Sequence, residues 1–560
     1  MIHDPSKPVG AEGRLSRSRP PSPRTALPLL AIVALLLATP VRGGVEPPPT
    51  AGVDPSSPVQ QSTAVAAATE PDEALALIRG EITRLLSTGA GRSGNWGVLA
   101  VSLDRGDTLF ALGAQEPLAP ASNLKLFTTA GALHHFGPDY RFQTFLLADG
   151  KVQDGVLEGD LILYGTGDPS ISGRLLRSEE EPFRAFAQAL RDRGVHTVRG
   201  DVLADGSFFS GPRRRPSWNP RDLNDWFAAP VSAIAFNENM VTLQVGAGAP
   251  GEAPRVRWEP EGALLPVENR ARTVAGAPGQ GLIVVRDDPD DPIELRGQIG
   301  ARQVDVRRRL TVSEPELFAA AVLARVLQDE GIRVTGVPGH VLDREASRVT
   351  GRTIVAPGLA GAEGPGPWTV AVHRSPPMSR LLGVVNRVSH NLFSDQILLA
   401  MGRQVEGEGS FDAGGRVLTR YLVEVAGIPA EGLHIEDGSG LSRLNRAPPA
   451  AFVTLLAHMS AGENAETFWA SLPEAGNQRE LRRMYRSPAA GNLRAKTGTI
   501  SRVSALSGIV RGTNGEPILF SIIANNVPST WAAKDLEDRI GIRLASFDRA
   551  PLLVGDQDED

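Results

Sequence analysis

Of the 58 basic residues in this chain, only five are lysines: Lys7, Lys125, Lys151, Lys496 and Lys534. One of the five stands in ASNLKLFTTA, three residues after Ser122, and another opens Lys496-Thr497-Gly498. Arginine is the default cation here, so a lysine at these two places asks what arginine could not do. A serine hydroxyl is a poor nucleophile until a base removes its proton. Lysine becomes such a base when burial lowers its pKa, whereas a guanidinium stays protonated. Positions i and i+3 share one face of a helix, which sets Lys125 beside Ser122. The tetrapeptide S-x-x-K is weak evidence alone, because a helix cap followed by a solvent-facing lysine has the same pattern.

Two further motifs change that balance. Ser389-His390-Asn391 lies between two helical patterns, where Ser389 can relay a proton toward a leaving nitrogen and Asn391 can hold Lys125 and a substrate amide. Lys496-Thr497-Gly498 opens a strand, offering a cation and a hydroxyl to a substrate carboxylate. Gly498 lets the substrate approach the backbone closely. The backbone N–H groups of Ser122 and Thr499 are the expected oxyanion hole, each donor worth on the order of 3 kcal/mol. Read singly, the second motif is ordinary turn chemistry and the third an ordinary strand start. Read jointly and in this order, all three describe one nucleophilic site.

The motif set is that of penicillin-binding proteins and serine β-lactamases. The interval between Ser122 and Ser389 is far longer than in β-lactamases, and it resembles the large insertion of the D-alanyl-D-alanine carboxypeptidase/endopeptidase family, the class C low-molecular-mass penicillin-binding proteins. GDLILYGTGDPSIS (159–172), FAAPVSAIAFNEN (227–239), HRSPPMSRLLGVVNRVSHN (373–391), EDGSGLSRLNR (436–446) and AAGNLRAKTGTISRVSALSGIV (489–510) are similar to that family too. The resemblance covers roughly residues 75 to 548. It implies substrate-binding roles for Asp222, in WNPRDLNDWFAAP with Asp225 close by, and for Arg443, in DGSGLSR. Two departures stand out: SLPEAG is followed by NQREL, and His390 occupies the middle of S-x-N, where its side chain is expected to point away with little effect.

The elements that must position these residues follow from periodicity. DEALALIRGEITRLLS reads as a helix, NWGVLAVSLD and DTLFALG as a strand pair, and 121–137 as a helix with Ser122 in its first turn. From about 141 to 360 the chain is Gly- and Pro-rich with many short strands and helices near 183–193 and 315–329. Helical patterns return after 375, followed by the strands VSALSGIVRG and PILFSIIANN and a helix near 531–547. These elements predict an α+β fold, an antiparallel sheet flanked by helices and split by a long insertion; the resemblance implies that it is a penicillin-binding, serine β-lactamase-like transpeptidase domain carrying large mostly-β inserted domains. The expected division is a signal peptide region at 1–44, a flexible linker at 45–70, a discontinuous catalytic domain at 71–140 and 361–552, an inserted domain at 141–245 and 306–360, and a nested one at 246–305.

Composition narrows the function classes. A net charge of −6 without a long run of one sign gives no footprint for nucleic acid. With no cysteine, the chain has no disulfide, thiolate metal site or cysteine nucleophile. Its nine histidines show no metal-ligand spacing, so neither metal nor cofactor is expected. Arginines at 14, 17, 19 and 24 precede the apolar run 26–38, too short for a membrane span needing about 20 residues and fitting a secretory signal. An uncleaved signal segment would be the one membrane attachment. The expectation is an exported, periplasmic serine-type D-Ala-D-Ala carboxypeptidase or endopeptidase. The resemblance implies that it acts on peptidoglycan stem peptides through a Ser122 acyl-enzyme and is inhibited by β-lactams. A β-lactamase- or esterase-like hydrolase and a non-catalytic wall-binding protein on the same fold are the alternatives.

Overall fold

The computed structural model describes residues 73–263, 265–349 and 366–549. The expected signal region and linker lie outside them. No helix among the described residues is long and apolar enough to cross a membrane.

In Pro517–Asn525 the side chains of Ile518, Phe520, Ile522 and Ala524 join one apolar cluster and those of Leu519 and Ile523 another, as the two-residue period of a strand requires. This strand is central in an antiparallel sheet ordered Arg494–Ile500, Val503–Arg511, Pro517–Asn525, Asn95–Ser102, Thr108–Leu112. Segments from both ends of the chain thus complete one sheet. Helices Glu73–Leu86 and Thr530–Ala545 cover the first face. Helices Lys125–Phe136, Asn391–Glu406, Phe411–Glu424 and Pro449–Ala461 pack on the second. There Phe127 and Phe452 stack with centroids 4.4 Å apart, each burial worth roughly 1.5–3 kcal/mol.

The inserted segment has its own cores. Its large sheet runs Arg333–Val334, Thr197–Val198, Val156–Gly165, Gln143–Gln153, Trp368–Arg374, with Val202–Asp205 and Pro338–Val341 attached. Helices Glu181–Arg191 and Pro315–Asp329, close to the expected bounds, pack on it. Met240–Gly246 centres a three-stranded sheet between Val306–Thr311 and Arg255–Glu259, and smaller sheets occupy 267–300. Gln143 and Arg374 are cross-strand partners, so the chain remains in the insertion's sheet until Arg374. The architecture is α+β, with an antiparallel sheet flanked by helices and additional sheets inserted.

One local expectation needs correction. The α-helix begins at Lys125, and Ser122 lies before it in a tight 3-10 turn, Ala121–Leu124. Ala121 takes a left-handed φ of 47°, and the backbone of the 437–440 loop presses against it: a Cβ on Gly440 would lie 1.9 Å from the Ala121 carbonyl oxygen. The turn that local periodicity assigns to the helix is thus a separate, tighter one, packed so closely against this loop that only glycine fits at position 440.

Candidate active site

The three motifs converge on one buried polar cluster. Lys125 is fully enclosed on the helix that packs between sheet and helical layer, and its Nζ lies 3.1 Å from Ser122 Oγ. The same Nζ donates to Asn391 Oδ1 and to the Ser439 carbonyl, each at 2.6 Å. Burial lowers the amine's pKa to about 8, although the nearby Asp395 and Asp437 carboxyls pull it upward. An amine that is partly neutral near pH 8, and 3.1 Å from a hydroxyl, can accept that hydroxyl's proton.

Asn391 opens the helix Asn391–Glu406 and is held from two sides: Oδ1 accepts from Lys125, and Nδ2 donates 2.7 Å to the Phe227 carbonyl of the insertion. Ser389 sits between this helix and the preceding π-helical turn Val384–Val388, with a left-handed φ of 62°. Its Oγ accepts from Lys496 Nζ at 2.8 Å. Lys496 is fully enclosed and also donates to the Thr497 carbonyl. Burial, with the charge of Lys125 added, pushes its pKa well below the ordinary lysine value.

Gly498 brings its strand against the serine turn. A Cβ there would lie 2.8 Å from the Pro120 carbonyl oxygen and 3.1 Å from the Ser122 amide nitrogen, so any side chain would fill the gap. Thr499 follows on that strand, paired with Ser504. Thr497 is half-buried and paired with Leu506. The turn is tied to the sheet below by Asn123, whose Nδ2 donates 2.7 Å to Ser507 Oγ, which in turn donates to Ser521 Oγ.

Asp222 and Arg443 are not in this cluster. Asp222 ends a 3-10 turn, Pro220–Asp222, on the segment that leads to Phe227. Burial, and then Asp222 itself, raise the pKa of neighbouring Asp225. Arg443 is exposed and donates to the Ser501 carbonyl, just past the strand of Lys496.

The structure adds groups that the motifs do not reveal. Asp437 accepts from the backbone N–H of Gly440 and Ser442, from Asn445 Nδ2 and from Trp218 Nε1, fixing the loop that presents the Ser439 carbonyl. Asp395, one turn after Asn391, accepts from the Gly438 N–H at 2.8 Å. Burial and Asp437 together hold its carboxyl well above the usual range. The i, i+4 spacing of Asn391 and Asp395 was the available sequence signal; the Ser439 and Phe227 carbonyls had none. His390 turns away from the cluster, as expected, but is itself buried, with Nε2 3.0 Å from Glu238 Oε2.

The model of the D-Ala-D-Ala carboxypeptidase 3 (S13) family matches residues 79–546. A D-alanyl-D-alanine carboxypeptidase of Actinomadura sp. is 32% identical over 492 residues, covering 84% of this chain and 85% of its own length. D-alanyl-D-alanine carboxypeptidase DacB of Haemophilus influenzae is 24% identical over 468 residues, 82% of this chain and 89% of its own. The crystal structure of penicillin binding protein 4 (dacB) from Haemophilus influenzae superposes with a TM-score of 0.68 at 23% identity, covering 84% of this chain and 99% of that one.

Proposed function

Given that the chain belongs to the D-Ala-D-Ala carboxypeptidase 3 (S13) family, we propose that it is an exported DD-peptidase that cleaves peptidoglycan stem peptides through an acyl-enzyme on Ser122. The observation that carries this reading is the enclosed Lys125 amine 3.1 Å from Ser122 Oγ, with its pKa lowered to about 8. Neutral Lys125 takes the Ser122 proton as Oγ attacks the carbonyl carbon of the penultimate D-alanine. The Ser122 and Thr499 N–H groups receive the oxyanion, where preorganised donors stabilise developing charge most. Ser389 relays to the departing amine the proton that Lys125 took, which leaves Lys125 neutral again, and the C–N bond breaks. Water then attacks the ester carbonyl, Lys125 accepts its proton and returns it to Ser122 Oγ as the ester C–O bond breaks.

Lys496 and Thr497 hold the terminal carboxylate, Gly498 leaves room for the peptide backbone, and Asn391 orients both Lys125 and the substrate amide. Asp222 and Arg443 recognise the free end of the stem side chain from outside the buried cluster. A free D-alanine leaving group makes the reaction a carboxypeptidase one, and a cross-bridging amine makes it an endopeptidase one. A β-lactam presents a strained amide beside a carboxylate, and so acylates the same hydroxyl. Export is supported by the 26–38 apolar run. Intact-mass analysis after penicillin treatment should show one adduct that is absent from Ser122→Ala; an adduct that survives in that variant would place the nucleophile elsewhere. Arg443→Ala should reduce cleavage of peptides with a free side-chain terminus more than it reduces penicillin acylation, and equal losses on the two assays would make Arg443 structural.

A further inference from the structure

We infer that Glu238 of the insertion is a positioning residue for the reaction, acting through His390 to hold the Ser389–Asn391 turn in its working geometry. The inference rests on the reading given under Proposed function.

The turn cannot be held by local preference alone, because Ser389 is a non-glycine residue at a left-handed φ of 62° directly after a π-helical turn. Side chains rarely adopt that backbone conformation unless surrounding contacts enforce it. On the cleft side, Lys496 donates to Ser389 Oγ and Lys125 donates to Asn391 Oδ1. On the far side the contacts come from the insertion: the Phe227 carbonyl accepts from Asn391 Nδ2, and Glu238 Oε2 lies 3.0 Å from His390 Nε2. His390 is 1% exposed, with the Trp226 ring edge-on at 5.5 Å and the Phe393 ring at 4.7 Å.

Glu238 is itself built for one position. Arg174 meets it bidentately at 2.6 and 3.0 Å, Ser172 Oγ lies 3.4 Å away and Arg309 3.7 Å. Its backbone lies in a run of three left-handed non-glycine residues, Asn237, Glu238 and Asn239. That run is fixed by Asn237 Nδ2 to the Met240 carbonyl and by Asn239 Nδ2 to the Pro230 carbonyl, both 2.8 Å. Two strained segments, remote in sequence, therefore meet at one carboxylate–imidazole contact. Burial pushes the Glu238 carboxyl up, yet the hydrogen bonds and charges of His390 and Arg174 outweigh it and hold the group well below its ordinary pKa. Burial also keeps His390 below its ordinary value. A carboxylate can only accept, so Nε2 of His390 carries the hydrogen and donates to Glu238, while Nδ1 has no hydrogen-bond partner among the described residues. The residue in the middle of S-x-N is consequently the joint by which the insertion grips the motif.

The test uses the full chain and a fluorescent penicillin over a concentration series, separating the binding constant from the first-order acylation constant. His390→Leu removes the donor; His390→Gln restores an N–H at similar reach. The expected result is an acylation constant about tenfold lower in His390→Leu, on the scale that small misplacements of reacting groups produce, with binding within about twofold, and recovery to within about threefold in His390→Gln. Acylation at the wild-type rate in His390→Leu, parallel loss of binding and rate, or no recovery in a folded His390→Gln would each overturn the inference. If circular dichroism shows His390→Leu unfolded, Glu238→Gln decides: a lower acylation constant supports the inference, and a lower melting temperature with an unchanged constant makes the contact purely structural. Failure of the wild-type protein to label at Ser122 would instead remove the reading beneath it.

Discussion

Lys125 and Lys496 are both fully enclosed and both end within hydrogen-bond reach of a serine hydroxyl, but they differ in what stands behind them. Behind Lys125 are Asp395 and Asp437, which pull its proton affinity back up to about 8 after burial has lowered it. Lys496 has a hydroxyl, a carbonyl and the charge of Lys125, none of which offsets burial, and its pKa lies well below the ordinary lysine value. Residue type alone does not distinguish a base from an anchor here; the neighbouring charges do. On the proposed mechanism, a substrate carboxylate arriving beside Lys496 and Thr497 supplies the missing anion. It stabilises the proton on Lys496, and repulsion between the two ammonium groups then favours a neutral Lys125.

The strongest way to break this comparison is Lys125→Arg. Charge is kept and the base is lost, so acylation by a fluorescent penicillin should fall about 10²- to 10⁴-fold with the fold intact by circular dichroism. Lys496→Arg, where guanidinium can still meet a carboxylate, should exceed Lys125→Arg by about two orders of magnitude. Equal rates in the two variants would mean that the base is another group.

A smaller effect sharpens the comparison through pH. Because the reactive form of Lys125 is the neutral one, acylation efficiency of the free enzyme should rise about tenfold per pH unit below its pKa and level off above about 8. A profile flat from pH 6 to 9 would exclude Lys125 as the titrating base. The smallest effect is expected from Asp395→Asn. Asp395 is one of the two carboxyls that pull the Lys125 amine upward, so its neutral isostere should move the acylation profile to lower pH while changing the plateau rate by no more than about threefold. A profile left in place would show that Asp437 alone supplies the upward pull on Lys125.

The part of this site that was legible in the sequence is the part made by side chains in short motifs. Lysine's rarity singled out Lys125 and Lys496, and the order of the motifs supplied the rest. The strands and helices around them were legible because apolar residues recur at the period of each element, as in Pro315–Asp329. The Ser439 and Phe227 carbonyls were not legible, since a backbone acceptor leaves no trace in residue type. Neither was Glu238, whose partner is 152 residues away. Periodicity places Ser122 in the helix itself, because it does not register the left-handed Ala121 or the close approach of Gly440 to it.

Gln143 and Arg374 face each other across two strands, and the pairing continues into the core, where Ser375 N–H donates to the Phe142 carbonyl and Met378 N–H to the Tyr140 carbonyl. The insertion therefore leaves the core where it enters it. Once those strands have zipped, the nucleophile helix and the S-x-N turn are no longer the ends of a long floppy loop but near neighbours across a short hairpin, and most of the loop-closure entropy between them has already been lost. A gene in which 142 and 375 were joined by a tight turn would preserve that geometry. It would also delete the Phe227 carbonyl and Glu238, so the excised protein would keep its connectivity while losing the grip on its own catalytic turn.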